Sequence, residues 1–393
     1  MALRTESGGA AGRGTMNVVL VTNGPAAARE RDPLARRQVP LLTRLAEQGV
    51  SLRVVLMGDE GGLRAPLAGA GLRVDVLPAP LPPSAAGVAG VPRAVAALGA
   101  LLDGCDDADI LEGDEPLPAI ALGLAARRRS ARLVYRRHHD GGRIRLRLAS
   151  RMAARLADRT LVSCEAMRRR AAADDGVGLD RIDVAISGTS EIDVPPPCEL
   201  ARTRADLGIP ATAPVIVAVS RLRQEKGVDV LIRSLDALRG TDPPHLVVVG
   251  DGPEEPALRR LAQDAAVPVH FVGHRLDVDC WLALAAVVAI PSRREAFGRV
   301  TLEAMAARRP VVASRVGGIV DAIADGETGL LVPPDDPTAL GAALRAVLEE
   351  PALAGRLAAA ARRRYERGHT MDHMAASWRL AWERTRQAQP VHA

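Results

Sequence analysis

The chain reads as an α/β protein made of two doubly wound, parallel-sheet domains with a cleft between them. Three observations carry this reading. Short apolar runs such as NVVLVT (17–22), PVIVAVS (214–220) and HLVVV (245–249) alternate with stretches of helical period, the pattern of a parallel sheet with crossover helices. The length, 393 residues, suits two such units better than one. A Pro-rich segment, DVPPPC (193–198), stiffens the chain between the halves. The boundaries that follow are a Gly- and Ala-rich tail at 1–15, expected to be disordered, a first domain at 16–192 and a second at 193–370.

In the first half, strands are expected in NVVLVT, SLRVVLM (51–57), RVDVL (73–77), DILEG (109–113), RLVYRR (132–137) and RIDVAIS (181–187), with a strand followed by a helix in DRTLVSCEAMRR (158–169). Helices are expected at 34–48, 93–103, 117–128 and 143–158, with a Pro/Gly-rich loop over 78–92. The first strand ends in Asn23-Gly24-Pro25, and ligands bind at such strand ends in open α/β sheets. No G-x-G-x-x-G follows, which disfavours a dinucleotide-binding domain. RLVYRR runs into His138-His139-Asp140-Gly141-Gly142, the segment of this half best suited to an active site. A metal would need more ligands than these, and no partner cluster stands in the sequence.

In the second half, PVIVAVS ends in SRLRQEKG, which sets Arg221 and Lys226 five apart before a helix at 227–239. Two cations at a strand end beside a helix start form a clamp for a diphosphate, Arg by bidentate bonding and Lys as a point charge. HLVVV ends at Gly250 and Gly252, which allow close backbone approach to a ligand. VHFVGHR (269–275) ends at Arg275. The stretch at 286–318 then places a buried strand, a loop with Glu295, a helix from Arg299 with Glu303 one turn inside, and a second strand after Pro310. Free N–H groups at a helix start favour anions, so a diphosphate belongs at 298–301, beside Gly298, Arg299 and Val300. Each Glu accepts two hydrogen bonds and suits a vicinal diol, one on a sugar ring and one on a ribose. Further helices are expected at 199–207, 336–349, 351–366 and 371–387.

Charge is uneven. Residues 127–170 hold fifteen Arg against Asp140, Asp158 and Glu165, a local +12 within a chain total of +5, so the remainder carries −7. Leu148, Met152 and Leu156 share one face of helix 143–158, with Arg147, Arg151 and Arg155 beside it, a basic amphipathic pattern compatible with an anionic membrane surface or with packing on its own sheet. Aromatic residues make up only 2%, which argues against a nucleic-acid partner and against aromatic-lined carbohydrate clefts. Cys105, Cys164, Cys198 and Cys280 are scattered, with no metal or disulfide spacing. The N-terminal residues lack an apolar leader and no apolar run approaches a membrane span, so the expected location is cytoplasmic, with peripheral membrane contact through 143–159.

EAFGRVTLEAMAARRPVVAS, followed by Gly317 and Gly318, closely resembles the E-x7-E motif of retaining GT-B glycosyltransferases of family 4, in which each domain is Rossmann-like. Glu295, Phe297, Gly298, Leu302, Glu303, Ala304, Met305 and PVVAS carry the resemblance, as does S-R-x-x-x-x-K-G at Arg221 and Lys226. The resemblance implies a nucleotide-sugar donor in the second domain and an acceptor (glycan, lipid-linked or small molecule) in the first, retention of configuration, and no metal or other cofactor. It implies Glu303 on the ribose, Glu295 on the donor sugar, a base contact near Arg275, and one His of 138–139 on the donor. His138 follows the strand directly and aligns slightly better than His139. Gly24 falls near donor phosphate and acceptor. In such enzymes the last helix crosses back onto the first domain, and Trp378 and Trp382, four apart, suit that packing for 371–393. Three departures stand out: Gly24 followed by Ala26, Ala27 and Ala28 where a Gly pair is usual, Arg308-Arg309 where a small residue and Gly are usual, and Ser187-Gly188-Thr189 in place of an Asn-Gly turn. A sugar-nucleotide epimerase of the same fold, or a binding subunit without catalysis, are the alternatives.

Overall fold

The computed structural model describes residues 15–23, 33–58, 62–78, 81, 85–126, 129–139, 144–240 and 243–389. In the first domain the order is β1 (Met16–Asn23), α1 (Pro33–Glu47), β2 (Val50–Met57), α2 (Arg64–Gly69), β3 (Arg73–Leu77), α3 (Ala85–Leu102), β4 (Ile110–Asp114), α4 (Pro116–Ala125), β5 (Arg132–Arg136), α5 (Ile144–Leu156), β6 (Arg159–Val162), α6 (Glu165–Asp175) and β7 (Ile182–Val184). In the second it is α7 (Pro197–Asp206), β8 (Val215–Val219), α8 (Val228–Ser234), β9 (His245–Val249), α9 (Glu255–Ala262), β10 (Val269–Gly273), α10 (Val278–Leu284), β11 (Val287–Ile290), α11 (Arg299–Ala306), β12 (Val311–Ser314), α12 (Ile319–Ala322), β13 (Leu330–Val332), α13 (Pro337–Glu349) and α14 (Pro351–Gly368), before α15 (Met371–Gln387).

The strands form two parallel sheets, ordered β3-β2-β1-β4-β5-β6-β7 and β10-β9-β8-β11-β12-β13. In each sheet the winding reverses beside the first strand, at β1/β4 and at β8/β11, and ligands of open α/β sheets bind at such points. The strands read as near-continuous apolar runs because both faces are covered. Along β1, Val18 and Leu20 pack on one side and Val19 and Val21 on the other; along β8, Ile216 and Ala218 oppose Val215 and Val217. One apolar cluster contains residues of both sheets, so the domains share part of a core.

Three local expectations change. The segment expected as a loop at 78–92 is helical from Ala85, because α3 runs through Pro92 while Ala94, Leu98 and Leu102 bury one face of it. Helix 227–239 is shorter: α8 stops at Ser234 and a 3-10 turn, Leu235–Leu238, replaces its last part. On α5, Ser150, Ala153 and Ala154 supply the buried face, leaving Leu148 60% and Met152 50% exposed. Small residues let α5 sit close to its neighbours; Leu148 and Met152 turn outward with the arginines, while Leu156 packs on the core.

The chain crosses between domains twice, and the crossings pair. Thr189 bridges Thr370 in parallel and its N–H donates to His369 O at 3.0 Å. A Cβ on Gly188 would lie 2.4 Å from Thr370 O, so the departure at 187–189 keeps the one glycine that this crossing needs. Beyond it α15 lies on the first sheet: Met374, Trp378 and Trp382 are buried with Val18, Leu20, Ile110 and Val134.

Candidate active site

The second-domain site is built from two loops, 220–227 after β8 and 291–298 after β11. Leu222, fully buried, anchors the first loop, and Arg221 beside it stays exposed. A short 3-10 turn, Gln224–Lys226, leads to Gly227 at φ 64°, where a Cβ would lie 2.0 Å from Pro291 O. Only glycine lets the two loops touch there. The amides of Arg293 and Arg294 donate to Glu225 O at 2.9 and 3.3 Å. The result brings Lys226 Nζ to 2.5 Å from Glu295 Oε1, which also accepts from Ser292 Oγ at 3.1 Å.

Arg293, not singled out from sequence, ties this arrangement together. Its guanidinium donates to both oxygens of Asp229 at 2.7 and 2.8 Å, to Gln224 O at 2.7 Å, and to Asp335. Burial opposes ionisation of Asp229, but the bonds from Arg293 and Arg233 outweigh it and hold its pKa down at about 2. The same bond to Asp229 pushes the Arg293 pKa further up.

Gly298, at φ 81°, turns the chain into α11, and a Cβ there would meet Ile319 Cγ1 at 2.7 Å. The first amides of α11, those of Arg299 and Val300, have no acceptor earlier in the helix. The Arg299 side chain reaches Glu303 Oε1 at 3.3 Å. Glu295, Gly298 and Glu303 thus flank one helix start, as their spacing predicts, and the loop contact at Gly227 adds Lys226 beside Glu295.

At several glycines and side chains near the site the close contact is with protein. Gly250 and Gly252 do allow close approach, but to protein: added Cβ atoms would lie 1.9 Å from Ser220 O and 2.3 Å from Leu222 O. They seat the clamp loop. Phe297 is buried in the apolar cluster that joins both domains, so it anchors its loop rather than facing a ligand. Arg275 pairs with Asp277 at 2.9 and 3.0 Å and lies 5.3 Å from the Trp281 ring centre, which holds its planar group against protein. Gly317 and Gly318 back the Glu295 loop: a Cβ on Gly317 would lie 1.7 Å from Glu295 O, and the Gly318 N–H is used by Ala296 O at 3.1 Å.

In the first domain, His138 Nε2 lies 2.7 Å from Asp114 Oδ1, with the His138 side chain 22% exposed. His139 Nε2 is 3.3 Å from Tyr135 Oη, which in turn meets Ser150 Oγ at 3.0 Å. The two histidines therefore face different partners. Asp114 also receives Thr22 Oγ1 at 3.0 Å, Gln38 Nε2 at 3.2 Å and Arg136 Nη2 at 2.5 Å. Arg136 Nε lies 3.2 Å from Glu112 Oε1, and Trp382 Nε1 donates to Glu112 Oε2 at 2.6 Å. Burial pushes the Glu112 pKa up to about 7 against the pull of Arg136. Asp114 and Arg136 are direct neighbours in the β4–β5 register, a pairing that parallel adjacency of the two strands makes findable in sequence. Gly24 and Asp140 lie outside the described residues. Among the described residues, no three His, Cys, Asp or Glu side chains converge as metal ligands, and no helix is long and apolar enough to cross a membrane.

Comparison with known proteins gives the family and the fold. The profile of Glycosyltransferase Family 4 matches residues 35–188 and that of Glycosyl transferases group 1 matches 213–350, one on each domain. A D-inositol 3-phosphate glycosyltransferase of Jonesia denitrificans is 34% identical over 228 residues, 54% of each chain. A glycogen synthase of Mycobacterium tuberculosis is 43% identical over 162 residues, 39% of each chain. The chain thus matches about half the length, or less, of these curated relatives. Among solved structures, a glycosyltransferase of Rickettsia africae superposes with a TM-score of 0.80 at 16% identity, covering 96% of this chain and all of that one. Anabaena HepE in complex with UDP and glucose superposes at 0.76 and 20% identity, covering 94% and 99%. The two profiles, the motif around Glu295 and Glu303, and the paired parallel sheets lead to one conclusion: the chain belongs to the family 4 glycosyltransferases and has the GT-B fold.

Proposed function

We propose that the protein is a retaining glycosyltransferase that moves a hexose-type sugar from a UDP- or GDP-linked donor to a glycan, lipid-linked or small-molecule acceptor, without a metal. The observation that carries this is the pairing of Lys226 with Glu295 just before α11, with Glu303 one turn inside that helix and held to Arg299. Diphosphate oxygens would lie at the N-terminus of α11, with Arg221 and Lys226 neutralising the leaving group as its charge develops. Glu303 would hold the ribose hydroxyls. Glu295, already oriented by Lys226 and Ser292, would hold the sugar. Among the described residues no side chain is an evident nucleophile, so front-face transfer, with the departing phosphate taking the acceptor proton, fits best. His138, oriented by Asp114, would meet the donor from the first domain. The reading draws support from relatives named as glycosyltransferases and from neighbours of the same fold crystallised with UDP and UDP-glucose.

Calorimetric titration with UDP, GDP and ADP in EDTA, beside Glu303→Ala, tests it. Binding of one diphosphate, lost in the variant, is the expected result. Absence of binding by all three would overturn the donor-site assignment.

A peripheral membrane contact is supported by one observation, the outward Leu148 and Met152 beside the arginines of α5. Flotation with anionic but not neutral vesicles, abolished by Leu148→Ser with Met152→Ser, is expected. Equal flotation with both vesicle types would remove the charge argument.

A further inference from the structure

We propose that Asp321 is a latch between the two domains, and that domain closure acts through it on the loop that carries Glu295. The argument starts from a helix that lacks its own cap. α6, in the first domain, begins after Cys164, whose backbone is extended and whose side chain makes no cap hydrogen bond. Ser, Thr, Asp or Asn is the usual residue at that place, because an oxygen there accepts from the second or third amide of the helix. Here the oxygen comes from the other domain. The Ala166 amide, second in α6, donates to Asp321 Oδ2 at 2.6 Å, across 155 residues of chain. The other carboxylate oxygen lies 4.0 Å from Arg169 Nη2, one turn further on. A carboxylate is the favoured group at a helix start, where free N–H groups and the helix dipole converge.

The footing of Asp321 connects this contact to the donor site. Asp321 sits in α12, its N–H donating to Gly318 O at 3.1 Å and its own carbonyl accepting from Arg364 Nη2 at 2.8 Å. Ile319 of the same short helix packs under Gly298 at the start of α11. Gly318 and Gly317 press on the backbone of Ala296 and Glu295. From the first domain, Cys164 Sγ also approaches Ala296 O at 3.6 Å. The short segment from Gly317 to Asp321 therefore touches the first domain through Asp321 on one side, and the Glu295 loop and the start of α11 through Gly317, Gly318 and Ile319 on the other. The bond from Ala166 to Asp321 exists only when the domains are together, so its whole free energy favours closure over opening.

The turnover part of this inference rests on the proposed transfer reaction; the shape part does not. The test compares the full-length protein with Asp321→Ala and Asp321→Asn, by small-angle scattering without nucleotide, by titration with UDP, and by turnover. Asn keeps an acceptor oxygen and caps as well as Asp. The expected result is a larger radius of gyration for Asp321→Ala, unchanged UDP affinity, and a kcat lowered roughly three- to thirty-fold, the effect of one lost cap. Asp321→Asn should match the parent in all three. If Asp321→Ala does not fold, Asp321→Ser, too short to reach Ala166, takes its place. Parent-like scattering and turnover in the Ala or Ser variant would overturn the latch, as would an Asn variant as open as the Ala one. A parent that binds no nucleotide and turns over nothing would overturn the functional reading alone, since the scattering comparison still decides the latch.

Discussion

The polar cluster at the strand ends of the first domain is sealed, whereas its counterpart in the second stands half open. Glu112, Asp114 and Arg136 are at most 3% exposed and are roofed by α15 through Trp378 and Trp382. Lys226 and Glu295 are 23% and 14% exposed, and Arg221 more so. The difference lies in what holds each cluster. Sealed charges depend on one another, because each would be stranded in a low dielectric without its partner. The open cluster depends on backbone fit, with Gly227, Gly250, Gly252 and Gly317 letting loops touch where any side chain would collide. The first arrangement serves rigidity and orientation of His138; the second leaves charged groups able to change partners when a ligand arrives.

The comparison breaks most readily at Arg136. Removing it strands Glu112 and Asp114, and Arg136→Ala should cost about 3–5 kcal/mol of stability in chemical denaturation. A loss near that of a surface arginine would mean that the cluster is not held by mutual pairing. On the open side, Lys226→Ala should leave the fold intact and lower turnover by about 2.7–4 kcal/mol of transition-state stabilisation. Near-normal turnover would remove Lys226 from the clamp.

The two clusters also differ in the sign of their pH dependence. The Glu112 pKa, raised above its usual 4.5 to about 7, gives stability that is full below pH 4.5 and lost as the pH rises through about 7. Asp229, held at about 2 below its usual 3.8, gives stability that is present above pH 3.8 and lost as the pH falls towards 2. Glu112→Gln, neutral at every pH, should flatten the neutral limb of a stability profile by an amount on the order of 3 kcal/mol and leave the acid limb alone. An unchanged neutral limb would show that Glu112 is ionised when folded. The smallest effect expected is that of Arg293→Ala, about 1–3 kcal/mol, with the acid limb of Asp229 weakened and turnover reduced because the Glu295 loop loses its tie. Full activity in that variant would show that Gly227 and Glu225 suffice to position the loop.

Sequence alone determined the alternation of strands and helices, the split into two sheets, the pair Arg221 and Lys226 after one strand, and the run of Glu295, Gly298 and Glu303 around one helix start. Those features are local: a strand end, a five-residue spacing and a helix turn each fix one group, whereas the contact of Lys226 with Glu295, 69 residues apart, is set by the meeting of two loops. Gly250, Gly252 and Phe297 were visible as special positions, but their role was not, since a close approach written in sequence does not say what approaches. Tertiary structure decided that it is protein backbone. It also decided that α3 runs through Pro92, that the alanines of α5 face inward while Leu148 and Met152 face out, and that Arg293 ties two loops together. Asp114 meeting His138, Trp382 capping Glu112 across 270 residues, and Asp321 capping α6 across 155 depend on which strands lie side by side and on how the last helix returns. Such contacts are set by the packing of whole elements, and no spacing along the chain encodes them.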